Sequence, residues 1–326
     1  ALGRHPRLGV GALERRLDLA ELAVVELHPL LEQWDRVGGP AGAEVGAREV
    51  RLELDRRARG IGAWLETHGA RGERVLLLYP AGLDYIAAFF GCLYAGAVAV
   101  PAYPPRLNRP VPRIQAIVAD SQAKFALTTS AIFHNIEQRF EQSPELKALS
   151  WLNTEQVSPE SEAEWRDPHI TADTLAFLQY TSGSTSQPKG VMLTHGNLMH
   201  NLKAIQYGFQ IDGNDSGAFW LPSYHDMGLI GGILEPIYIG LPSTLMSPVS
   251  FLQRPHRWLE AISKYKVTTS GAPNFAYDLC VDKITPEQLE TLDLSAWKLA
   301  FCGAEPIRPE TLERFARTFE PVGFRV

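Results

Sequence analysis

Apolar and polar positions follow two alternating rhythms along this chain. Leu54, Ala58, Ile61 and Leu65 recur at the spacing of one helical face, Gly69 supplies a stop, and Val75 to Tyr79 is an apolar run of strand length. The same alternation continues. Tyr85 to Tyr94 reads as a buried helix, Ala95-Gly96 as a break, and Ala97 to Val100 as a strand halted by Pro101, Pro104 and Pro105. Further strands are expected at 125–129, 175–180, 218–221, 243–246, 267–270 and 299–302, with helices in the gaps. Pro255 suits a first helical turn, and Thr285-Pro286-Glu287-Gln288 combines a capping box with proline at the first helical position. Helices alternating with short apolar strands predict an α/β fold with mostly parallel sheets.

The rhythm also suggests an organisation. Residues 50–210 read as a first α/β subdomain and 211–326 as a second, with the acidic, Ser- and Pro-containing stretch 157–167 as a surface connection inside the first. Residues 1–49, rich in Arg, Gly, Ala and Leu, fit no element, and a non-native leader is one reading of them.

Composition narrows the function. A chain of 326 residues, 45% hydrophobic, can bury a large core, and its net charge of -6 gives no reason to hold a polyanion, so nucleic acid is not an expected partner. Cys92, Cys280 and Cys302 are scattered without a Cys-x-x-Cys pair, which fits reduced thiols and a cytoplasmic protein better than disulfides or zinc. No signal peptide is visible, because Arg4, His5, Pro6 and Arg7 interrupt the start. The uncharged stretch 85–105 is long enough to span a bilayer, but its Gly and Pro punctuation argues against a membrane span.

The most informative segment follows the strand at 175–180. Thr181-Ser182-Gly183-Ser184-Thr185-Ser186-Gln187-Pro188-Lys189-Gly190 offers glycines for close backbone approach, hydroxyl donors and one full positive charge, followed by the apolar run Val191-Met192-Leu193. Each component suits a polyphosphate. A Walker loop is disfavoured, because Lys189 is followed by Gly190 rather than Ser or Thr. Composition alone leaves an ordinary solvated turn ahead of a phosphate loop.

The order of residues changes that balance, since it resembles the signature loop of the adenylate-forming superfamily, which includes acyl-CoA synthetases, luciferases, peptide-synthetase adenylation domains and fatty-acyl-AMP ligases. The resemblance implies the layered α/β sheets of that family's large N-terminal domain, with ATP and Mg2+ as cofactors. It assigns the β and γ phosphates of ATP to Thr181, Ser182, Gly183, Ser184, Thr185, Lys189 and Gly190, and magnesium to Thr185. Ser186, where the family usually carries Gly, resembles the fatty-acyl-AMP ligase branch.

Other segments gain meaning beside this loop. Tyr224-His225-Asp226-Met227-Gly228-Leu229 is similar to fatty-acyl-AMP ligases, which implies that His225 and Lys189 are catalytic and that His225, Met227 and Gly228 lie against the substrate. Gly303-Ala304-Glu305-Pro306 resembles the family loop that packs on adenine. The run from Val267 to Phe275 is a strand entering a Gly/Pro turn, where α/β folds commonly seat ligands, and it puts Ser270 and Gly271 forward as substrate contacts. The run from Leu93 to Pro101 resembles a family packing motif and carries no chemistry. His195 and His200 have no carboxylate partner or metal-ligand spacing and stay unassigned.

The resemblance implies ATP-dependent activation of a long-chain fatty acid to acyl-AMP, with transfer to the phosphopantetheine arm of an acyl carrier protein. Alternatives remain: an acyl-CoA synthetase, a non-catalytic nucleotide-binding remnant, or an amino-acid adenylation domain. Family members continue past the position of Val326, so the chain is expected to be a fragment that is inactive alone. A serine hydrolase built on His225 and Asp226 is disfavoured, because no Gly-x-Ser-x-Gly elbow is present.

Overall fold

The computed structural model describes residues 41–105, 112–181 and 188–325. Ser182, Gly183, Ser184, Thr185 and Ser186, and most of the segment read as a leader, lie outside the described residues.

Among the described residues, ten strands form two sheets. The first contains β1 (Arg74–Leu78), β2 (Val98–Ala102), β3 (Phe125–Thr128), β4 (Ser150–Asn153), β5 (Leu175–Thr181) and β6 (Lys189–Thr194), in the order β4-β3-β1-β2-β5-β6. All pairings are parallel except β5 with β6. The second contains β7 (Gly217–Phe219), β8 (Ser243–Leu245), β9 (Thr269–Ala272) and β10 (Leu299–Cys302), in the order β10-β9-β7-β8, and is parallel throughout. An apolar strand buried on both faces needs helices on each side, and the α/β alternation supplies them.

Helix α1 (Ala41–Thr67) runs across the boundary suggested at residue 50 and buries Ala58, Ile61 and Leu65. It packs on α2 (Leu83–Tyr94), where a Cβ on Gly91 would lie 2.5 Å from Ile61 Cγ2, so glycine sets the close approach of the two helices. The stretch 157–167 is more than a surface connection: Val157 packs on the core, Trp165 Nε1 donates to the Tyr94 carbonyl at 2.8 Å, and the Arg59 guanidinium lies 4.8 Å from the Trp165 ring. The apolar run after the phosphate loop also differs from a core strand. β6 is an antiparallel edge, leaving Val191 and Met192 exposed.

The second sheet carries an aromatic core. Trp258, Tyr277, Trp297 and Phe315 pack with Phe319 and Phe324, the last helix α3 (Pro309–Phe319) supplying Phe315 and Phe319 one turn apart. β9 begins two residues later than its apolar run, because Lys266 adopts a left-handed conformation (φ 50°) that closes the preceding helix. No described helix is long and apolar enough to cross a membrane.

Candidate functional site

Three segments meet at the carboxyl ends of the strands. Thr181 closes β5 and Lys189 opens β6, and the two face each other in the antiparallel register. This pairing places Lys189, whose side chain is exposed and without an ion pair among the described residues, directly after the segment read in the sequence as a phosphate loop. Gly190 has a nearer duty than phosphate contact. It lies opposite Tyr180, whose ring would be 2.9 Å from a Cβ there and whose hydroxyl donates to Asp120 at 2.6 Å.

The second segment is the turn before a π-helix, Met227–Leu234. His225 Nδ1 lies 2.7 Å from Asp226 Oδ1, so the carboxylate fixes Nδ1 as the donor and directs Nε2 away from it. The same oxygen accepts from the Met227 amide at 2.6 Å and caps the helix. Gly228 is required here, since a Cβ would collide with the Pro222 carbonyl oxygen. Asp226 thus orients the His225 ring. Two further contacts tie the turn to the first sheet: buried Gln179 donates from Nε2 to the Tyr224 carbonyl at 3.0 Å, and the Tyr224 ring meets Tyr103 edge-on at 5.1 Å.

The third segment follows β10. Gly303 comes next to Met227, whose methyl would be 3.6 Å from a Cβ on the glycine, which joins the Gly303–Pro306 turn to the His225 turn. Ala304 holds a left-handed conformation (φ 70°), which costs an alanine about 1–2 kcal/mol and is typical of ligand-clamping turns. Fully buried Asn274 maintains it, donating from Nδ2 to the Pro306 carbonyl at 2.9 Å and accepting from the Arg308 amide at 3.0 Å. Ala304, Glu305 and Pro306 remain exposed at its rim.

Ser270 and Gly271 do not join this group. Ser270 is fully buried, its hydroxyl donating to the Ala218 carbonyl while accepting from Trp258 Nε1 at 2.8 Å, so it fastens β9 to its neighbours. A Cβ on Gly271 would collide with the Phe301 carbonyl and ring. Ser270 and Gly271 lie three to four residues before Asn274, which supports the Gly303–Pro306 turn from the start of the helix that follows.

Two titrating groups near this region are buried without partners. Burial pushes the Glu235 carboxyl up to about 8 and the His195 imidazole down to about 4. Unfolded Glu235 releases its proton near 4.5, so raising the pH from there to about 8 favours the unfolded state; unfolded His195 takes one up near 6.5, so lowering the pH from there to about 4 does the same. The effects oppose each other between 4.5 and 6.5, and only Glu235 acts from 6.5 to 8. Stability is expected to fall by about 2 kcal/mol over that last interval. Denaturant titrations across the interval check this; an undiminished decline in Glu235→Gln would refute it.

Comparison with known proteins agrees with the geometry. Residues 52–324 match the family model described as AMP-binding enzyme. The chain is 49% identical over 84% of its length to Medium-chain-fatty-acid--[acyl-carrier-protein] ligase JamA from Moorena producens, covering 47% of that protein. It is 38% identical over 84% of its length to Long-chain-fatty-acid--AMP ligase FadD23 from Mycobacterium tuberculosis, covering 48%. The crystal structure of the fatty acyl-adenylate ligase from L. pneumophila in complex with acyl adenylate and pyrophosphate superposes with a TM-score of 0.79 and 46% identity, over 84% of this chain and 48% of that one. The chain therefore spans about half the length of these relatives. The matched model, the shared α/β architecture and the converging turns together mean that this chain belongs to the AMP-binding enzyme family.

Proposed function

We propose that the protein activates a fatty acid with ATP to acyl-AMP and passes the acyl group to the phosphopantetheine thiol of an acyl carrier protein. The supporting observation is that the His225 turn touches the Gly303–Pro306 turn through Met227 and β5 through the Gln179 bond to Tyr224, two residues before Thr181, the register partner of Lys189. A carboxylate oxygen attacks the α phosphorus, the bond to pyrophosphate breaks, and two anions must approach. Like charges about 4 Å apart repel by roughly 4 kcal/mol at an effective dielectric near 20, and Lys189 beside the leaving phosphates offsets that repulsion. His225, aimed by Asp226, donates from Nε2 toward the reacting carboxylate as an imidazolium. The left-handed turn at Ala304 presents backbone to the adenine.

Phosphate contacts by Ser182, Gly183, Ser184 and Thr185 remain part of this proposal, as does magnesium at Thr185. A magnesium ion takes most of its oxygen ligands from phosphates and water, with few from protein. Such an ion supplies Lewis-acid charge neutralisation. The names of the relatives support a fatty acid, of medium chain for one and long chain for another, and one of them supports a carrier-protein acceptor.

The test uses the full-length protein with ATP, a panel of fatty acids and amino acids, and carrier protein or CoA as competing acceptors. Fatty-acid-dependent pyrophosphate release with acyl-carrier product is expected. Preference for amino acids would overturn the substrate, and exclusive formation of acyl-CoA would overturn the acceptor.

A further inference from the structure

Glu235 is 2% exposed, and neither carboxyl oxygen has a hydrogen-bond partner among the described residues. Leaving a buried polar group unpaired is costly, so such a group points to a partner that the fold itself does not supply. Its place on the molecule narrows that partner. Met227, Gly231 and Glu235 are spaced four residues apart on the π-helix and the turn that continues it, and residues at that spacing share a helix face. At one end of this face Met227 sits beside Gly303, within the candidate site. In the middle, a Cβ on Gly231 would meet nothing within 4 Å, while Met227 and Gly231 are both only partly buried. At the far end Glu235 is enclosed, with Leu229, Ile233 and Leu234 in the adjoining apolar core. The face thus runs from the reacting centre, past open space at a glycine, to a lone polar group on the order of 10 Å away.

Resting on the acyl-activating reading above, we infer that this face lines the acyl site and that Glu235 is its specificity determinant, hydrogen-bonding a hydroxyl carried at the far end of a medium-length fatty acid. Apolar helix surface accommodates the methylenes, and the carboxyl discriminates at the tip. Burial also keeps the carboxyl protonated at neutral pH, so it can donate as well as accept without placing a charge in the core.

The experiment compares decanoate with ω-hydroxydecanoate as substrates for acyl-adenylate formation by the full-length protein, using wild type, Glu235→Gln and Glu235→Leu. Wild type and Glu235→Gln are expected to favour the hydroxy acid, because both side chains can pair with the hydroxyl. In Glu235→Leu the kcat/KM ratio of hydroxy to plain acid should fall by about tenfold or more, the scale set by leaving a buried hydroxyl unpaired. Leucine removes both carboxyl oxygens without opening a large void, and a ratio of two substrates on one preparation is insensitive to the folded fraction. Both acids activated with an unchanged ratio in Glu235→Leu would overturn the inference while leaving acyl activation standing. A wild type that activates neither acid would sink the acyl reading and this inference together.

Discussion

Replacing Lys189 with Gln in the full-length protein is expected to lower the rate of acyl-adenylate formation by about 10²–10³-fold, with little change in fold stability. The residue opens β6 at the edge of the first sheet, its side chain is exposed, and no described residue forms an ion pair with it, so few native contacts disappear with the charge. On the proposed mechanism, what is lost is a positive charge beside the pyrophosphate leaving group, where negative charge grows as the bond breaks. Single-turnover pyrophosphate release separates this from weakened substrate binding. A variant with an unchanged chemical step and only a raised KM for ATP would place Lys189 in ground-state binding instead.

The largest effect on stability is expected from Phe315→Ala, at about 3–5 kcal/mol. Phe315 is 1% exposed and its ring meets Tyr277, Trp297, Phe319 and Phe324 at centroid separations of 4.9, 6.1, 4.4 and 5.1 Å. Truncation removes the apolar burial and four ring contacts, three of them close to perpendicular, and leaves a void that rigid aromatic neighbours fill poorly. Phe315→Leu should recover part of the loss. Urea denaturation of the three proteins measures it, and a loss under 1 kcal/mol for Phe315→Ala would show that the cluster relaxes into the space.

Much of this architecture is legible in the amino-acid order. The runs at 75–79 and 125–129 fall on strands displaced by at most one residue at either end, because a buried parallel strand needs an unbroken apolar run, and those at 243–246 and 299–302 fall as closely on the two edge strands of the second sheet. The capping box at Thr285 forms as read, with reciprocal bonds to Gln288 of 3.1 and 3.3 Å. β4 escapes notice because it is a short sheet edge on which only Leu152 is buried, leaving no apolar run to detect. The π-helix escapes for the opposite reason. Met227-Gly228-Leu229-Ile230-Gly231-Gly232-Ile233-Leu234 is apolar throughout and carries no polar phase from which its winding could be read.

In the candidate site, residues belonging to compact motifs were visible and their supports were not. Lys189, His225 and Gly303 sit in recognisable runs. Gln179 and Asn274 act through bonds to Tyr224, Pro306 and Arg308, partners 32 to 45 residues away or nearby only through the fold, so nothing local distinguishes them from other amides. Ser270 and Gly271 illustrate the converse, as residues attractive by position that the packing of β9 consumes.

The double use of Asp226 Oδ1, bonded both to the His225 ring and to the Met227 amide, makes imidazole aim and helix winding a single mechanical variable. Tightening the first turn of that helix competes for the same lone pairs that steer the ring, and anything that swings the ring loosens the turn. A displacement of the first helical turn is thereby transmitted to the imidazole across one oxygen atom.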